Sequence, residues 1–478
     1  MGTVATGRDD RRRAAIRCRR RRCPVDVVVG GAAGVVDDHD LGYCAAVAAH
    51  RRPAIPPSPQ GAAAAVPTVH AWGTWDDGKP RTRLLLQALQ DAGVLVRRTH
   101  VDVWSSVVDK SQLRGVRAPL SAAWRWSTAY GRLLVELLRH GDEDVVFVGY
   151  LGHLDVLVAW PLARWRGQAI VWDAFLSLYD TVVDDRRMAA PGGVVARVLW
   201  WWEWLACRAA DVVVLDTAAH AAYFRSSYGL AEDHTAVVFV GAEDDAFAPV
   251  PAAAVEAARA DTRRRDADPC DANGVDGDAD SDADGNADGN ADGGPVTVLF
   301  YGQFIPLHGI RTIIEAARRS DPARVHWVVV GTGQETARIE AELRARPVEH
   351  LTWHRWVDYE QLRRWIVSAD VCLGVFGASD KAGRVIPNKV FQVLSVGRPL
   401  ITRDSPGIRE LLGPDDDGVL LVPPEDPSAL LAAVERIRKE RPGRRGRLHA
   451  DVVERFARPA LARAAREAVV SAARKSRT

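Results

Sequence analysis

The sequence predicts an α/β fold with two doubly wound, Rossmann-like domains facing a cleft, on three observations. From Val66 onward short Val-rich runs alternate with amphipathic stretches, the signature of strand–helix repeats around parallel sheets. The alternation occurs twice, in halves of similar build. Between the halves lies DANGVDGDADSDADGNADGNADGG (Asp271 to Gly294), an Asp/Gly/Ala tract that stays solvated by its own charge. The chain has 478 residues, 47% of them hydrophobic, enough for a large core divided between two or three domains.

Taken in order, residues 1–65 read as a disordered basic extension, because RRRAAIRCRRRRC (Arg11 to Cys23) is too charged to pack and PAIPPSPQGAAAA (Pro53 to Ala65) favours extended chain. A signal peptide is the alternative there, but Asp26 interrupts the apolar run and Asp37-Asp38 close it without a clear cleavage site. The GGAAG after VDVVV mimics a dinucleotide turn without G-x-G-x-x-G.

Residues 66–248 form the first domain, with strands expected near 67–72, 94–103, 145–149, 169–173, 211–215 and 236–240, and helices near 80–92, 121–140, 153–166, 193–209 and 217–228. Residues 249–294 are the linker with its acidic insert. Asp280, Asp282, Asp284, Gly285 and Asp288 match part of a calcium loop, but Ala291 stands where its bidentate glutamate belongs.

Residues 295–440 form the second domain, with strands near 296–301, 325–330, 351–355, 370–375, 399–402 and 418–422, and helices near 309–319, 333–346, 358–367, 388–396, 406–412 and 427–440. Residues 441–478 form a C-terminal helical segment, and Arg447 to Lys475 is expected to cross back over the first domain. Two such domains place ligands in the cleft at the carboxyl ends of their strands.

Composition narrows the function classes. The net charge of +1 hides a basic arm and acidic tracts, and neither gives the folded body a nucleic-acid groove. Cysteines 18, 23, 44, 207, 270 and 372 show no C-x-x-C pair or zinc-ligand spacing, which fits free thiols in a reducing compartment. No metal site is expected, and no window has the roughly 18 to 20 uninterrupted apolar residues of a membrane span. The expected location is cytoplasmic, either free or peripheral at the inner face of the membrane.

Loops that follow strands should carry the chemistry. Gly309, Gly331 and Gly333 would let backbone amides approach a phosphate where a helix begins, with a simple turn as the plain alternative for GTG. Lys381, Arg384 and Lys389 precede or open the helix at 388–396, and three cations at one strand end favour an anion over ordinary surface lysines.

At this point the sequence resembles the GT-B glycosyltransferases, especially the family-4-like glycosyl transferases group 1. Its donor-site signature runs P-x-K-x-x-(Glu/Gln)-x-x-x-x-G-x-P, and Pro387, Lys389, Gln392, Gly397 and Pro399 occupy those positions, followed by Ile401. The resemblance implies that the helix start at Asn388, with Lys389, Lys381 and Arg384, holds the diphosphate of a nucleotide sugar, and that residue 392 meets the ribose. Gln392 replaces a glutamate, Arg384 stands where the first glutamate of an E-x7-E pair would be, and His308 stands where a lysine usually precedes Gly309. Gln303 belongs to the same donor loop.

In the first domain, GTWDDGKPRTRLLLQAL (Gly73 to Leu89) resembles the family's first loop and helix, with Lys79 and Arg81 expected toward the cleft. His153 is expected beside the donor sugar, with a packing histidine as the alternative. Asp173, Asp180, Asp184, Asp185 and Arg186 follow the next strand; Asp173 and Asp180 are assigned to the acceptor side, and helix capping or loop solvation is the plainer reading of the aspartates around 180–185. LWWWEWLACR (Leu199 to Arg208) reads as core packing of one helix or as a membrane-interface face.

The function implied is transfer of a sugar from a nucleotide diphosphate sugar to a saccharide or lipid-linked acceptor in surface glycan or glycolipid synthesis. The resemblance further implies retention of anomeric configuration and no metal or other cofactor, with His153, Lys389 and Arg384 as the catalytic set. A catalytically silent nucleotide-sugar-binding or scaffold protein, and a GT-B-fold sugar-nucleotide epimerase, are the rivals.

Overall fold

The computed structural model describes residues 66–103, 118–249, 295–414, 416–441 and 448–476. The expectations for the basic arm and for the acidic tract with its calcium-loop alternative lie outside the described residues.

Among the described residues, twelve strands build two parallel six-stranded sheets. The first contains β1 (Val69–Gly73), β2 (Val96–His100), β3 (Val145–Val148), β4 (Ala169–Phe175), β5 (Val212–Leu215) and β6 (Thr235–Val237), in the order β2-β1-β3-β4-β5-β6. The second contains β7 (Val296–Tyr301), β8 (Val325–Val330), β9 (Leu351–His354), β10 (Val371–Leu373), β11 (Leu400–Arg403) and β12 (Val419–Val422), in the order β12-β11-β10-β7-β8-β9. Central strands such as VVFV of β3 are buried at every position, because helices cover both faces of a parallel sheet and leave no polar side to alternate.

Local chemistry sets the helix ends. Pro80 opens the Pro80–Asp91 helix at its first turn, where its missing N–H costs nothing. The hydroxyls of Thr217 and Ser405 cap the helices that follow β5 and β11. The Asn388–Val396 helix ends at Gly397, in the left-handed conformation at φ 80°.

The last segment departs from the single helix expected at 447–475. A short helix, Ala450–Glu454, precedes a second one, Arg458–Lys475, because Pro459 suits a helix's first turn and not its interior. The second helix does return to the first domain. Leu461, Ala465, Ala468, Val469 and Ala472 share a core with Leu85, Leu89, Phe147, Val171 and Val214, and Arg458–Asp91 and Lys475–Asp233 pair at its two ends, each at 2.9 Å.

Candidate active site

In the second sheet the strand order reverses between β7 and β10, which are neighbours. Loops leaving two adjacent strands in opposite directions open a crevice at their carboxyl ends. Here those loops are 302–309 and 374–384. Lys389 sits beneath them, 5% exposed, with Nζ 3.9 Å from the centre of the Phe300 ring. That Nζ has no hydrogen-bond partner, and burial holds its pKa well below the usual lysine value.

Gly302 explains why the niche is open. Its φ is 140°, and a Cβ there would lie 3.0 Å from Lys389 Nζ and 3.1 Å from His308 Cε1, so a side chain would fill the space that the lysine and histidine share. His308 donates from Nδ1 to the Gln303 carbonyl, which leaves Nε2 turned to other partners. Burial first, and then Lys389 and Arg186, against the opposing bond to Gln303, push its pKa well below the usual value, which disfavours the charged imidazolium in the empty site. Arg186 belongs to the first domain and lines the cleft cavity that Gly309 also lines.

Gly309, at φ 64°, starts the Ile310–Arg319 helix; a Cβ would strike the backbone of Phe376 and Gly377 at 2.6 Å. Gly331 and Gly333 let loop 331–334 lie against Gly302 and Phe304. Gln303 is exposed on loop 302–309, and Asn388 forms the first position of a helix that no side chain caps. A cavity of about 990 Å³ opens beside these elements, lined by Gly309, Ile310 and Ser379 from the second domain and by Asp185 and Arg186 from the first.

The other two cations of the lysine–arginine loop are already engaged. Residues 180–185 form a π-helical turn that reaches across the cleft. Asp180, fully buried, accepts from Arg384 Nη2 at 2.9 Å; Thr181 Oγ1 accepts from Lys381 Nζ; and Asp185 accepts from Ser379 Oγ at 2.9 Å. Arg384 also lies over the Tyr223 ring at 4.1 Å. From below, Arg403 of β11 donates to the carbonyls of Gly377 and Ser379, and Glu410 caps the first domain's Ala218–Tyr228 helix at 2.6 and 2.7 Å. No sequence signal marks Arg403 or Glu410, whose partners lie on other elements.

Gln392 is 7% exposed and committed on both sides. Its Oε1 accepts from the Tyr301 hydroxyl at 3.0 Å and its Nε2 donates to the Tyr359 oxygen at 3.3 Å. Tyr359 in turn donates to Glu243 at 2.6 Å.

The first domain separates its expected site residues. Lys79 is exposed at the start of the Pro80–Asp91 helix. Arg81 and Asp173 are buried against each other, with Nη2–Oδ1 at 3.0 Å, and Arg81 donates its remaining nitrogen to the Val238 carbonyl at 2.6 Å; an arginine–aspartate pair this far from water is a support beneath the cleft wall. His153 is 3% exposed and donates from Nε2 to Glu203 at 3.2 Å, with its ring edge-on to Trp172.

Glu203, hidden inside WWWEW, is a residue that sequence reasoning missed. Its carboxylate accepts from His153, the Ser177 and Tyr228 hydroxyls and the Leu178 and Tyr179 amides. Burial would raise its pKa, but these bonds and the charge of His153 hold it below the usual value. Because residues 177–179 lead directly into the π-helical turn, Glu203 and His153 position that turn. Asp155 does the same for the first loop, accepting from Thr74 N at 2.7 Å and Tyr130 OH at 2.6 Å.

Two Rossmann-like domains, each built on a parallel six-stranded sheet, form a GT-B-type fold. Residues 295–440 match the model of the family Glycosyl transferases group 1.

Solved structures share the two-domain fold. Sucrose-phosphate synthase from Thermosynechococcus elongatus is 18% identical with a TM-score of 0.54, covering 85% of this chain and 92% of that one. HepE of Anabaena, solved with UDP-glucose, is 11% identical with a TM-score of 0.56, covering 84% and 99%. The catalytic domain of starch synthase IV from Arabidopsis thaliana, bound to ADP and acarbose, is 11% identical with a TM-score of 0.59, covering 86% and 100%. No curated protein matches the sequence.

Proposed function

We propose that the protein transfers a sugar from a nucleotide diphosphate sugar to a saccharide or lipid-linked acceptor. The observation that carries this reading is the buried, unpartnered Lys389 ammonium group facing the space above Gly302 beside His308. Breaking the sugar–phosphate bond builds charge on the leaving diphosphate, and cations and helix-start amides fixed in a water-poor crevice stabilise that charge. Lys389, Arg186 and the start of the Ile310–Arg319 helix supply such groups, and His308 joins them once the diphosphate draws a proton onto its Nε2. The leaving phosphate itself can help to deprotonate the incoming hydroxyl, so the reading includes retention of anomeric configuration without a metal, in glycan or glycolipid synthesis at the cytoplasmic side of a membrane.

Incubation with a panel of nucleotide sugars, scored by release of the nucleoside diphosphate with and without acceptors, tests it. Lys389→Ala should lower transfer by roughly tenfold to a thousandfold, and unchanged turnover would remove the lysine from the mechanism. One observation favours a second reading, nucleotide-sugar binding without turnover: Gln392 already has both ends of its amide occupied by Tyr301 and Tyr359. Selective binding with no product from any acceptor is the result that reading expects.

A further inference from the structure

The Val194–Ala209 helix turns one face inward, where Glu203 holds the cleft turn, and leaves the opposite face bare. Val194, Val198, Trp201 and Leu205 recur at helical spacing and are all exposed, Trp201 at 55%. Together with Trp202 they line an apolar groove of about 560 Å³. Core packing therefore accounts for only part of this tryptophan cluster: Trp200 lies against Tyr228, while Trp201 faces outward. The neighbouring His153–Arg166 helix covers the same face of the first sheet and exposes Trp160 and, at 77%, Trp165.

The charges on these two helices are one-sided. Their carboxylates, Asp155 and Glu203, are both buried, whereas Arg164, Arg197 and Arg208 are exposed. Exposed tryptophans and aliphatics framed by arginine, with no carboxylate exposed on either helix, match the boundary between anionic headgroups and acyl chains. The patch also adjoins the site. A cavity of about 610 Å³ is lined by Met188 and Pro191, just ahead of the helix, and by Asp184, Arg187 and Ser379, and these last three also line the larger cleft cavity.

We propose that this face seats the protein on a bilayer surface containing anionic lipid, with the cleft mouth beside the headgroups so that the acceptor is drawn from the bilayer. The docking itself is independent of the transferase reading; only the origin of the acceptor rests on it.

Vesicle flotation of the full chain tests the proposal, with phosphatidylcholine alone and with about 30% phosphatidylglycerol. The expected result is flotation with the anionic vesicles, weakened by salt, and a loss of about tenfold or more in Trp201→Glu and in Val198→Glu. Both positions are exposed, and an unchanged melting temperature confirms that each variant folds. Absence of flotation by the wild type, or equal flotation by the variants, would overturn the proposal. So would a wild-type dimer in light scattering that Trp201→Glu converts to monomer without any change in vesicle binding, since the face would then belong to a second copy. Thermal shift with UDP-glucose, run in parallel, keeps the two readings apart: vesicle binding without any nucleotide-sugar binding leaves the docking face standing and removes the transferase.

Discussion

Replacing Lys389 by methionine separates an anion-binding lysine from a structural one, because the two roles predict opposite combinations of effects. Methionine keeps most of the side-chain volume against the Phe300 ring, which lies 3.9 Å from Nζ, and removes only the polar end. A hydrogen bond from an ionised group contributes about 1.5–3 kcal/mol, so the substitution should weaken nucleotide-sugar binding by roughly tenfold to a hundredfold. In the empty protein the same Nζ is buried without a partner, and an unsatisfied buried donor costs about 1–3 kcal/mol. The melting temperature of Lys389→Met should therefore stay level or rise while donor affinity falls. Titration calorimetry with the nucleotide sugar that the donor panel selects and thermal unfolding of the ligand-free protein measure the two quantities. A lower melting temperature with unchanged donor affinity would refute the reasoning and make the lysine part of the core.

The pH dependence follows from the same groups: Lys389 and His308 both have lowered pKa values in the empty site, a diphosphate favours their charged forms, and donor binding should take up protons. Affinity should be greatest below those lowered values and fall as pH rises through them, by up to about tenfold per pH unit for each proton; calorimetry in two buffers of different ionisation enthalpy should show the uptake, and none in either buffer would sink this linkage. Gln392→Glu places a carboxylate beside the Tyr301 hydroxyl, which can still donate, and should strengthen binding of ribose-containing donors several-fold through a charge-assisted bond, read as a lower Kd. Glu203→Gln breaks a buried ionic hub and should cost about 3–5 kcal/mol. Because the Glu203 pKa is lowered on folding, its contribution is present above the unfolded glutamate value of about 4.3 and is lost as pH falls through the folded value, so the gap in melting temperature between wild type and variant should narrow in acid. A gap that stays constant would show that charge is not what Glu203 supplies.

The strand–helix alternation was legible because strands buried on both faces leave near-continuous apolar runs, as in VTVLFY of β7, and because the helices carry their own stop signals, such as Gly397. Lys389 could be found from the sequence through its place at a helix start within a family signature, but its isolation could not, since that depends on the Phe300 ring and on the absence of a side chain at Gly302. The π-helical turn was illegible for a different reason. DTVVDD has no period that marks a helix, and the groups that hold it, Ser379, Lys381 and Arg384, lie about two hundred residues away. Glu203 was hidden because four tryptophans beside it dominate the local pattern. Arg81 looks like a cleft residue through the resemblance of residues 73–89 to the family's first loop and helix, and Asp173 through its place at the end of an expected strand; only the three-dimensional fold shows that they face each other.

Three cations seemed to converge on one anion, yet the structure divides their work. Arg384 and Lys381 are met by Asp180 and Thr181 of the opposite domain, so they hold the cleft together while Lys389 waits without a partner. Where the family pattern would put a glutamate, this chain has Arg384, and the carboxylate facing it comes from the other side of the cleft. The docking does more than neutralise: it brings Arg186, which immediately follows the turn, close enough to act on His308. Arg186 also lines the cleft cavity together with Gly309 and Ser379 of the second domain. The hub that fixes the turn, Glu203, lies on the same helix as the exposed Trp201 stripe. Domain contact, the proposed donor site and the proposed bilayer face therefore share one helix and one six-residue turn, and loss of the Arg384–Asp180 pair should reach the Lys389–His308 niche through Arg186 rather than through Arg384 itself.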